Sequence, residues 1–331
     1  MRFVFFGTSS FAIPAFRELL NSGHTISALV TQPDRKTGRR LKISPPPTKV
    51  LALTKDIPVY QPQDASSMES VDYLKRFNAD LFVVVSFGQI LRREVLAIPR
   101  TLAINLHGSL LPKYRGAAPT NWAVINGEKA TGVTVIRMSE GMDEGDIILK
   151  EREAEIDEED TNITLSERLS ELGAKLLLEA IDLIEKGKTT FEKQDGSKAT
   201  YAPKLKKADG LIDWNENAIK IHNKVRGLLP WPGAYTYYEG MILKILKTEV
   251  SDAPCLENIK NPSTGSGFYP ERSRGIKTGE VVDIIKQNGI VVRTGSGNLV
   301  IKYLQIEGKK VLDTDSFLRG RRISIGYLFG E

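Results

Sequence analysis

The chain holds only three histidines, and one of them stands in INLHGSLLPKYRGAAP, residues 104–119, two positions after an asparagine. The run TLAINL (Thr101–Leu106) predicts a buried strand just before it. Asn105 and His107 then fall at a strand's carboxyl end, where open α/β sheets bind ligands, and their spacing of two sends both side chains to one face. An asparagine amide can donate to a developing oxyanion, and an imidazole can take a proton near neutral pH. A histidine base needs a third group to hold its tautomer, and EGMDEGD offers Asp143 and Asp146 beyond the next apolar run, TGVTVIRM (Thr131–Met138). An Asn–His–Asp set without a nucleophilic Ser or Cys points to direct group transfer through a tetrahedral intermediate. On spacing alone a plainer reading stays open, in which His107 ends a strand and Asp143 starts a turn.

The elements that would position these residues alternate in type. RFVFF (Arg2–Phe6), TISALVT, ADLFVVVSF (Ala79–Phe87), TLAINL and TGVTVIRM read as strands, with helical FAIPAFRELLNSG and MESVDYLKRFN between them. The continuous apolarity of Ala79–Phe87 predicts a strand covered on both faces. Such alternation implies an α/β fold with a Rossmann-like, doubly wound, mostly parallel sheet. Residues 161–187 predict a long amphipathic helix that Gly187 can close. The stretch 188–210 is polar and rich in Gly and Lys and reads as a linker. Beyond it, AYTYY, MILKILKTEV, GEVVDII, GIVVRTG and NLVIKYLQI are short strand-like runs separated by tight turns, which predicts a small antiparallel β-barrel over 211–331. The 253–275 segment lacks periodicity and reads as a loop.

Composition narrows the classes. At 331 residues two domains are expected, here 1–187 and 211–331. A lone Cys255 excludes an internal disulfide framework and a Cys-based zinc cluster, and fits a reducing compartment. The first residues lack the apolar run of a secretory signal, and no stretch reaches the ~18 apolar residues of a membrane helix, so a cytoplasmic protein is expected. From Lys204 onward there are 20 Lys and Arg against 14 Asp and Glu, a net +6, which leaves −1 for the first 203 residues. That asymmetry raises nucleic acid as a partner. FFGTSSFA (Phe5–Ala12) lacks the repeated glycines of a pyrophosphate-binding turn. His24 and His222 have no partners at metal-ligand spacing, so no metal site is expected.

NLHGSLLPKYRGAAP followed by TGVTVIRMSEGMDEGDI resembles the signature of the 10-formyltetrahydrofolate-dependent formyltransferases. The likeness extends through FFGTSSFA, TQPDRKTGRR and LLPWPGAY over nearly the whole chain, and those segments match the branch whose acceptor is methionyl initiator tRNA. The resemblance implies that Asn105, His107 and Asp143 are catalytic. Asn105 would hold the formyl oxygen, His107 would assist proton transfer, and Asp143 would orient the imidazole and relay the proton toward the leaving folate. It implies a folate pocket made by Ser109, Leu110, Leu111 and Pro112 with Phe87, Ile90 and Leu91, although the last three could equally be core. The donor would be 10-formyltetrahydrofolate, the C-terminal barrel would be OB-like and bind tRNA, and a monomer is the family expectation.

The stretch TQPDRKTGRRLKISPPPTK (Thr31–Lys49) gathers six basic residues against the single acid Asp34. Such a run can be a solvated loop, or, placed after a strand end, can meet phosphates. The resemblance favours the second: Arg35, Lys36, Arg39, Arg40 and Lys42 match a loop that wedges against the tRNA acceptor end, with Arg39 at its key arginine position. In the barrel region Lys206, Lys207, Arg226 and the Arg319–Arg322 cluster are candidates for phosphate contacts. Sugar-nucleotide formyltransferases, a formyltetrahydrofolate hydrolase and a non-catalytic RNA-binding module are the alternatives. A glycinamide ribonucleotide formyltransferase would stop after the first domain.

Overall fold

The computed structural model describes residues 1–37, 42–251 and 275–330, and the chain divides into two units, Met1–Ala123 with Glu128–Lys204, and Leu205–Glu331 with Val124–Gly127. From its amino end the chain runs through β1 (Arg2–Gly7), α1 (Ile13–Asn21), β2 (Thr25–Val30), a hairpin of β3 (Arg35–Thr37) and β4 (Lys42–Ser44), α2 (Pro47–Leu53) and β5 (Val59–Tyr60). It continues through α3 (Met68–Lys75), β6 (Leu81–Val85), α4 (Arg93–Leu96), β7 (Leu102–His107), β8 (Arg115–Gly116) and α5 (Pro119–Ile125). Next come β9 (Ala130–Arg137), β10 (Ile147–Glu155), α6 (Asn162–Glu185) and β11 (Tyr201–Ala202).

Seven of these strands form one sheet in the order β10-β9-β7-β6-β1-β2-β5. The five from β7 to β5 are parallel, as strand–helix alternation requires. β9 departs from that series and lies antiparallel to β7, with His107 opposite Thr134 and Ile104 opposite Arg137. The reason is length. The chain leaving β7 spends residues 108–118 at the carboxyl edge, and the seven residues of α5 span only about 10 Å, half the ~20 Å of a six-residue strand. It therefore re-enters the sheet from the same edge. β10, not anticipated from its charged sequence, pairs with β9 as an edge strand.

Side-chain alternation along β7 decides where the site can be. Leu106 packs on Gly173 of α6, so closely that a Cβ on that glycine would stand 2.8 Å from its Cδ2. Asn105 and His107 consequently face the other side of the sheet. On that side Ala103 joins an apolar cluster with Val4, Phe6, Val84, Phe87 and Leu91, so the polar pair begins where the apolar layer ends. α6 opens on a capping box between Thr161 and Thr164 and closes at Gly187, whose φ of +63° suits a residue without a Cβ.

In the second unit α7 (Ala218–Gly227) precedes β12 (Ala234–Tyr238), β13 (Met241–Ser251), β14 (Val281–Ile285), β15 (Gly289–Arg293), β16 (Asn298–Ile306), β17 (Leu312–Asp313) and α8 (Thr314–Gly320). These six strands form an antiparallel sheet in the order β12-β13-β16-β15-β14, with β17 paired to β16. Residues near the C-terminus bond to both outer strands: Val281 donates to the Tyr327 carbonyl at 2.8 Å, and Gly330 to that of Tyr237 at 3.2 Å. They bring the sheet toward barrel closure around fully buried Leu243, Ile245, Ile290, Val292 and Ile301.

The stretch expected to be a linker is bonded to the first unit over much of its length. Glu192 and Ile147 exchange both backbone hydrogen bonds, and β11 pairs with β8. Most of its side chains stay exposed, which fits the polar composition, while its backbone is bonded at these points. Most of the 253–275 segment, with Cys255, lies outside the described residues.

Candidate active site

His107 ends β7 and is buried. Its Nε2 stands 2.9 Å from the carbonyl oxygen of Tyr114. A carbonyl only accepts, so Nε2 carries a hydrogen, and in the neutral ring it is Nδ1 that holds the lone pair. That nitrogen lies 3.6 Å from Oδ2 of Asp143. The Asn105 side-chain amide donates to Oδ1 of the same carboxylate at 3.4 Å, and the Gly116 N–H donates to Oδ2 at 2.8 Å. The three residues singled out in the sequence are thus brought together. One assignment changes: the carbonyl of Tyr114, not Asp143, holds the tautomer. Asp143 instead faces the nitrogen that can accept a proton. The other candidate, Asp146, stays in the β9–β10 hairpin, where its carbonyl accepts from the Arg137 N–H.

Because β9 is antiparallel, Asp143 reaches the site differently from a residue at a parallel strand's end. The hairpin starts beside Ile104 and must fold back across the sheet face to bring Asp143 to Asn105 and His107. Asp143 itself adopts a left-handed φ of +54°. Gly145 leaves no room for a side chain, since a Cβ there would meet the Arg137 carbonyl oxygen at 1.7 Å. Gly116 combines a φ of +119° with an approach of 2.7 Å from its ideal Cβ to the Ala202 carbonyl oxygen.

The seven residues assigned to a folate pocket divide by exposure. Ser109 is buried and donates to the Lys113 carbonyl at 2.6 Å, and Thr134 clamps the loop by donating to the Ser109 carbonyl and accepting from the Leu111 N–H. Leu111 packs with Ile136 and Ile147. Leu110 and Pro112 are partly exposed. Phe87 and Leu91 pack in the core cluster, and the Phe87 ring sits edge-on to Phe6. Ile90 is 70% exposed and presents the apolar surface a flat heterocycle could cover.

The basic stretch after β2 forms the β3–β4 hairpin, anchored at its base by Lys49, which bonds Asp34 at 2.9 Å and Gln61 at 2.8 Å. Arg35 donates to Gln32 at 2.9 Å, and Arg35 and Lys36 are exposed. Arg39 and Arg40 lie outside the described residues, as does the side chain of Lys42. In the second unit Arg226 is buried and bonds Asn223 at 3.0 Å, which removes it from the candidates for phosphate contact. His24 bonds the chain's amino group and His222 the Thr248 hydroxyl, both structural positions. Among the described residues no group of three or more His, Cys, Asp or Glu is placed to hold a metal ion, and no helix is long and apolar enough to cross a membrane.

Residues 1–181 match the family model for formyl transferases, and residues 204–322 match the model for the formyl transferase C-terminal domain. The chain belongs to the formyl transferase family. Among its relatives, the methionyl-tRNA formyltransferase of Geobacter sulfurreducens is 44% identical, covering 100% of this chain and 97% of that protein. The methionyl-tRNA formyltransferase of Clostridioides difficile is 41% identical and covers both chains fully, at 100% each. Two solved structures share the fold. A sugar 3N-formyl transferase, crystallised with dTDP and 5-N-formyl-THF, superposes with a TM-score of 0.64 at 19% identity over 94% of this chain and 99% of its own. HypX from Aquifex aeolicus, in complex with tetrahydrofolic acid, gives a TM-score of 0.61 at 19% identity, over 96% of this chain and 47% of its own.

Within this formyl transferase, sequence reasoning missed the groups that hold the trio in place. Tyr114 and Gly116 act through backbone atoms, which leave no mark on residue type beyond the glycine itself. Gln194 donates to the carbonyls of Asp143 and Gly145 at 2.7 and 2.8 Å. A single glutamine in a polar stretch carries no periodicity or spacing that could have revealed it.

Proposed function

We propose that the chain transfers the formyl group of 10-formyltetrahydrofolate to the free amine of methionyl initiator tRNA, forming N-formylmethionyl-tRNA for translation initiation. The observation that carries this reading is identity of 41–44% over the full chain to relatives that bear the methionyl-tRNA formyltransferase name. The meeting of Asn105, His107 and Asp143 on one sheet face supports it with chemistry. In the reaction the amine nitrogen bonds to the formyl carbon, the carbon–N10 bond breaks, and the amine's proton ends on N10 of the folate.

Each residue has a role suited to its surroundings. The Asn105 amide, at a half-buried position, donates to the formyl oxygen as negative charge builds on it. His107 takes the amine's proton at Nδ1, the only ring nitrogen left with a lone pair. Asp143 stabilises the resulting imidazolium from 3.6 Å, with the ring buried and the carboxylate partly so. The folate would lie across Leu110, Pro112 and Ile90, whose partly exposed apolar surfaces fit a flat ring. The β3–β4 hairpin, with exposed Arg35 and Lys36 and with Arg39, Arg40 and Lys42, would meet the phosphates of the acceptor end. Such a translation enzyme works in the cytoplasm.

The test compares acceptors. Formyl transfer from 10-formyltetrahydrofolate is measured with methionyl initiator tRNA, a sugar-nucleotide amine and water as acceptors, over a range of salt. Transfer to the tRNA that weakens with salt is expected. A preference for the sugar amine, or hydrolysis alone, overturns the assignment.

A further inference from the structure

Gln194 lies after α6, in the stretch whose composition had suggested free linker. Its side chain is partly buried, and its amide nitrogen bridges two carbonyls of the hairpin that carries Asp143, those of Asp143 at 2.7 Å and Gly145 at 2.8 Å. Both hydrogens of one amide are thereby spent on either side of Glu144. The amide's oxygen is held in turn by the buried Arg115, whose Nε and Nη2 donate to it at 3.1 and 2.9 Å. The remaining arm of that guanidinium, Nη1, donates to Glu144 Oε1 at 3.3 Å. Residues 143, 144 and 145 are therefore each tied to the Arg115–Gln194 pair.

The pair is joined to the rest of the site through the backbone. Arg115 stands between Tyr114, whose carbonyl holds His107, and Gly116, whose N–H holds Asp143. Its own N–H donates to the Thr200 carbonyl at 2.9 Å, and β8 pairs with β11 a few residues beyond Gln194. A left-handed φ at Asp143 has to be maintained by its surroundings, since a non-glycine residue does not favour it. Gln194 satisfies two carbonyls of the connection between β9 and β10, which lies outside their ladder.

We propose that Gln194, oriented by Arg115, is a positioning residue for formyl transfer: it fixes the Asp143 carboxylate at Nδ1 of His107. The role of Asp143 in this statement rests on the function proposed above. Gln194 touches no reacting atom and acts only through the hairpin.

Gln194→Glu tests it with a side chain of the same shape. A glutamate can still accept from Arg115 but has no hydrogens for the two carbonyls. The expected result, measured at a temperature where the variant is folded, is a fall in kcat of about ten- to a hundredfold, the scale of a misplacement near 1 Å, with KM for folate and tRNA within twofold of wild type. On an Asp143→Asn background the same substitution should cost less than twofold, because the group it positions is already disabled. Gln194→Met, neutral and similar in length, should repeat both results if the glutamate variant does not fold. A full kcat loss that persists beside Asp143→Asn, or a kcat unchanged by both variants, overturns the proposal. Wild-type protein that transfers no formyl group to charged tRNA overturns the functional reading instead, so the two failures are distinct.

Discussion

Nδ1 of His107 stands 3.6 Å from Oδ2 of Asp143, while the opposite ring nitrogen is committed to the carbonyl of Tyr114. The acidic partner therefore attends the ring nitrogen that the Tyr114 carbonyl leaves available. In a serine-hydrolase triad the carboxylate orients the far nitrogen instead. The charge of Asp143 should matter more here than its hydrogen-bonding shape. Asp143→Asn keeps the shape and removes the charge, and is expected to lower kcat by about a hundred- to ten-thousandfold. Single-turnover formyl transfer, with folate binding followed separately, checks this, and turnover near wild type removes the carboxylate from the mechanism.

Asn105 donates to Asp143 at 3.4 Å, a long contact that a formyl oxygen could replace with a better one. Asn105→Ala should cost about a hundred- to a thousandfold in kcat, the scale of one lost oxyanion donor. The KM for the folate donor should change far less, and steady-state kinetics separate the two quantities.

Gly145 leaves its Cβ position 1.7 Å from a backbone oxygen, which cannot retreat as a side chain would. Gly145→Ala should force the hairpin outward and lower stability by about 1–3 kcal/mol. Activity should fall further than stability, since Asp143 moves with the hairpin. Urea denaturation beside kcat at a temperature where the variant is folded gives both numbers.

Asp160, buried beside the start of α6, works against a desolvation cost that raises its pKa. The hydrogen bonds from Arg168 at 2.6 Å, the Asp157 N–H and the Thr164 hydroxyl outweigh it and hold the carboxyl below its ordinary value of 3.8. A folded-state pKa below the unfolded one contributes stability that is present above about pH 4 and lost as pH falls through the folded value. Asp160→Asn should cost about 1–3 kcal/mol at neutral pH. That difference should shrink toward zero as the pH falls below 3.8, as denaturant titrations across the range would show.

The basic hairpin predicts a change in tRNA use with little change in folate use. Lys36→Ala should lower the slope of log affinity against log salt by about 1, as for one lost phosphate contact. Arg39→Ala should weaken productive tRNA use more than folate binding. A tRNA titration that leaves either variant indistinguishable from wild type refutes its role.

Much of this protein was legible in its residues. Asn105 and His107 announced themselves because a spacing of two on an apolar strand can only mean one face. The parallel strands followed from continuous apolarity, the second unit from short runs between tight turns, and the end of α6 from Gly187. The antiparallel course of β9 was not legible, since strand direction depends on where the connecting chain is held and not on the strand's own side chains. Whether Phe87 and Leu91 belong to a pocket wall or to the core was not legible for a related reason: an apolar residue fits either equally well, and only its neighbours decide.

Residue types and local spacing alone determined which groups could do chemistry here: an amide, an imidazole and a carboxylate, with a family signature around them. Tertiary structure decided how they work together. The Tyr114 carbonyl chose the tautomer, the β9–β10 hairpin carried Asp143 across the sheet, and Gln194, 51 positions beyond that aspartate, ties the hairpin down. Backbone groups and long-range contacts have no signature in sequence, because each takes its meaning from the atom it meets.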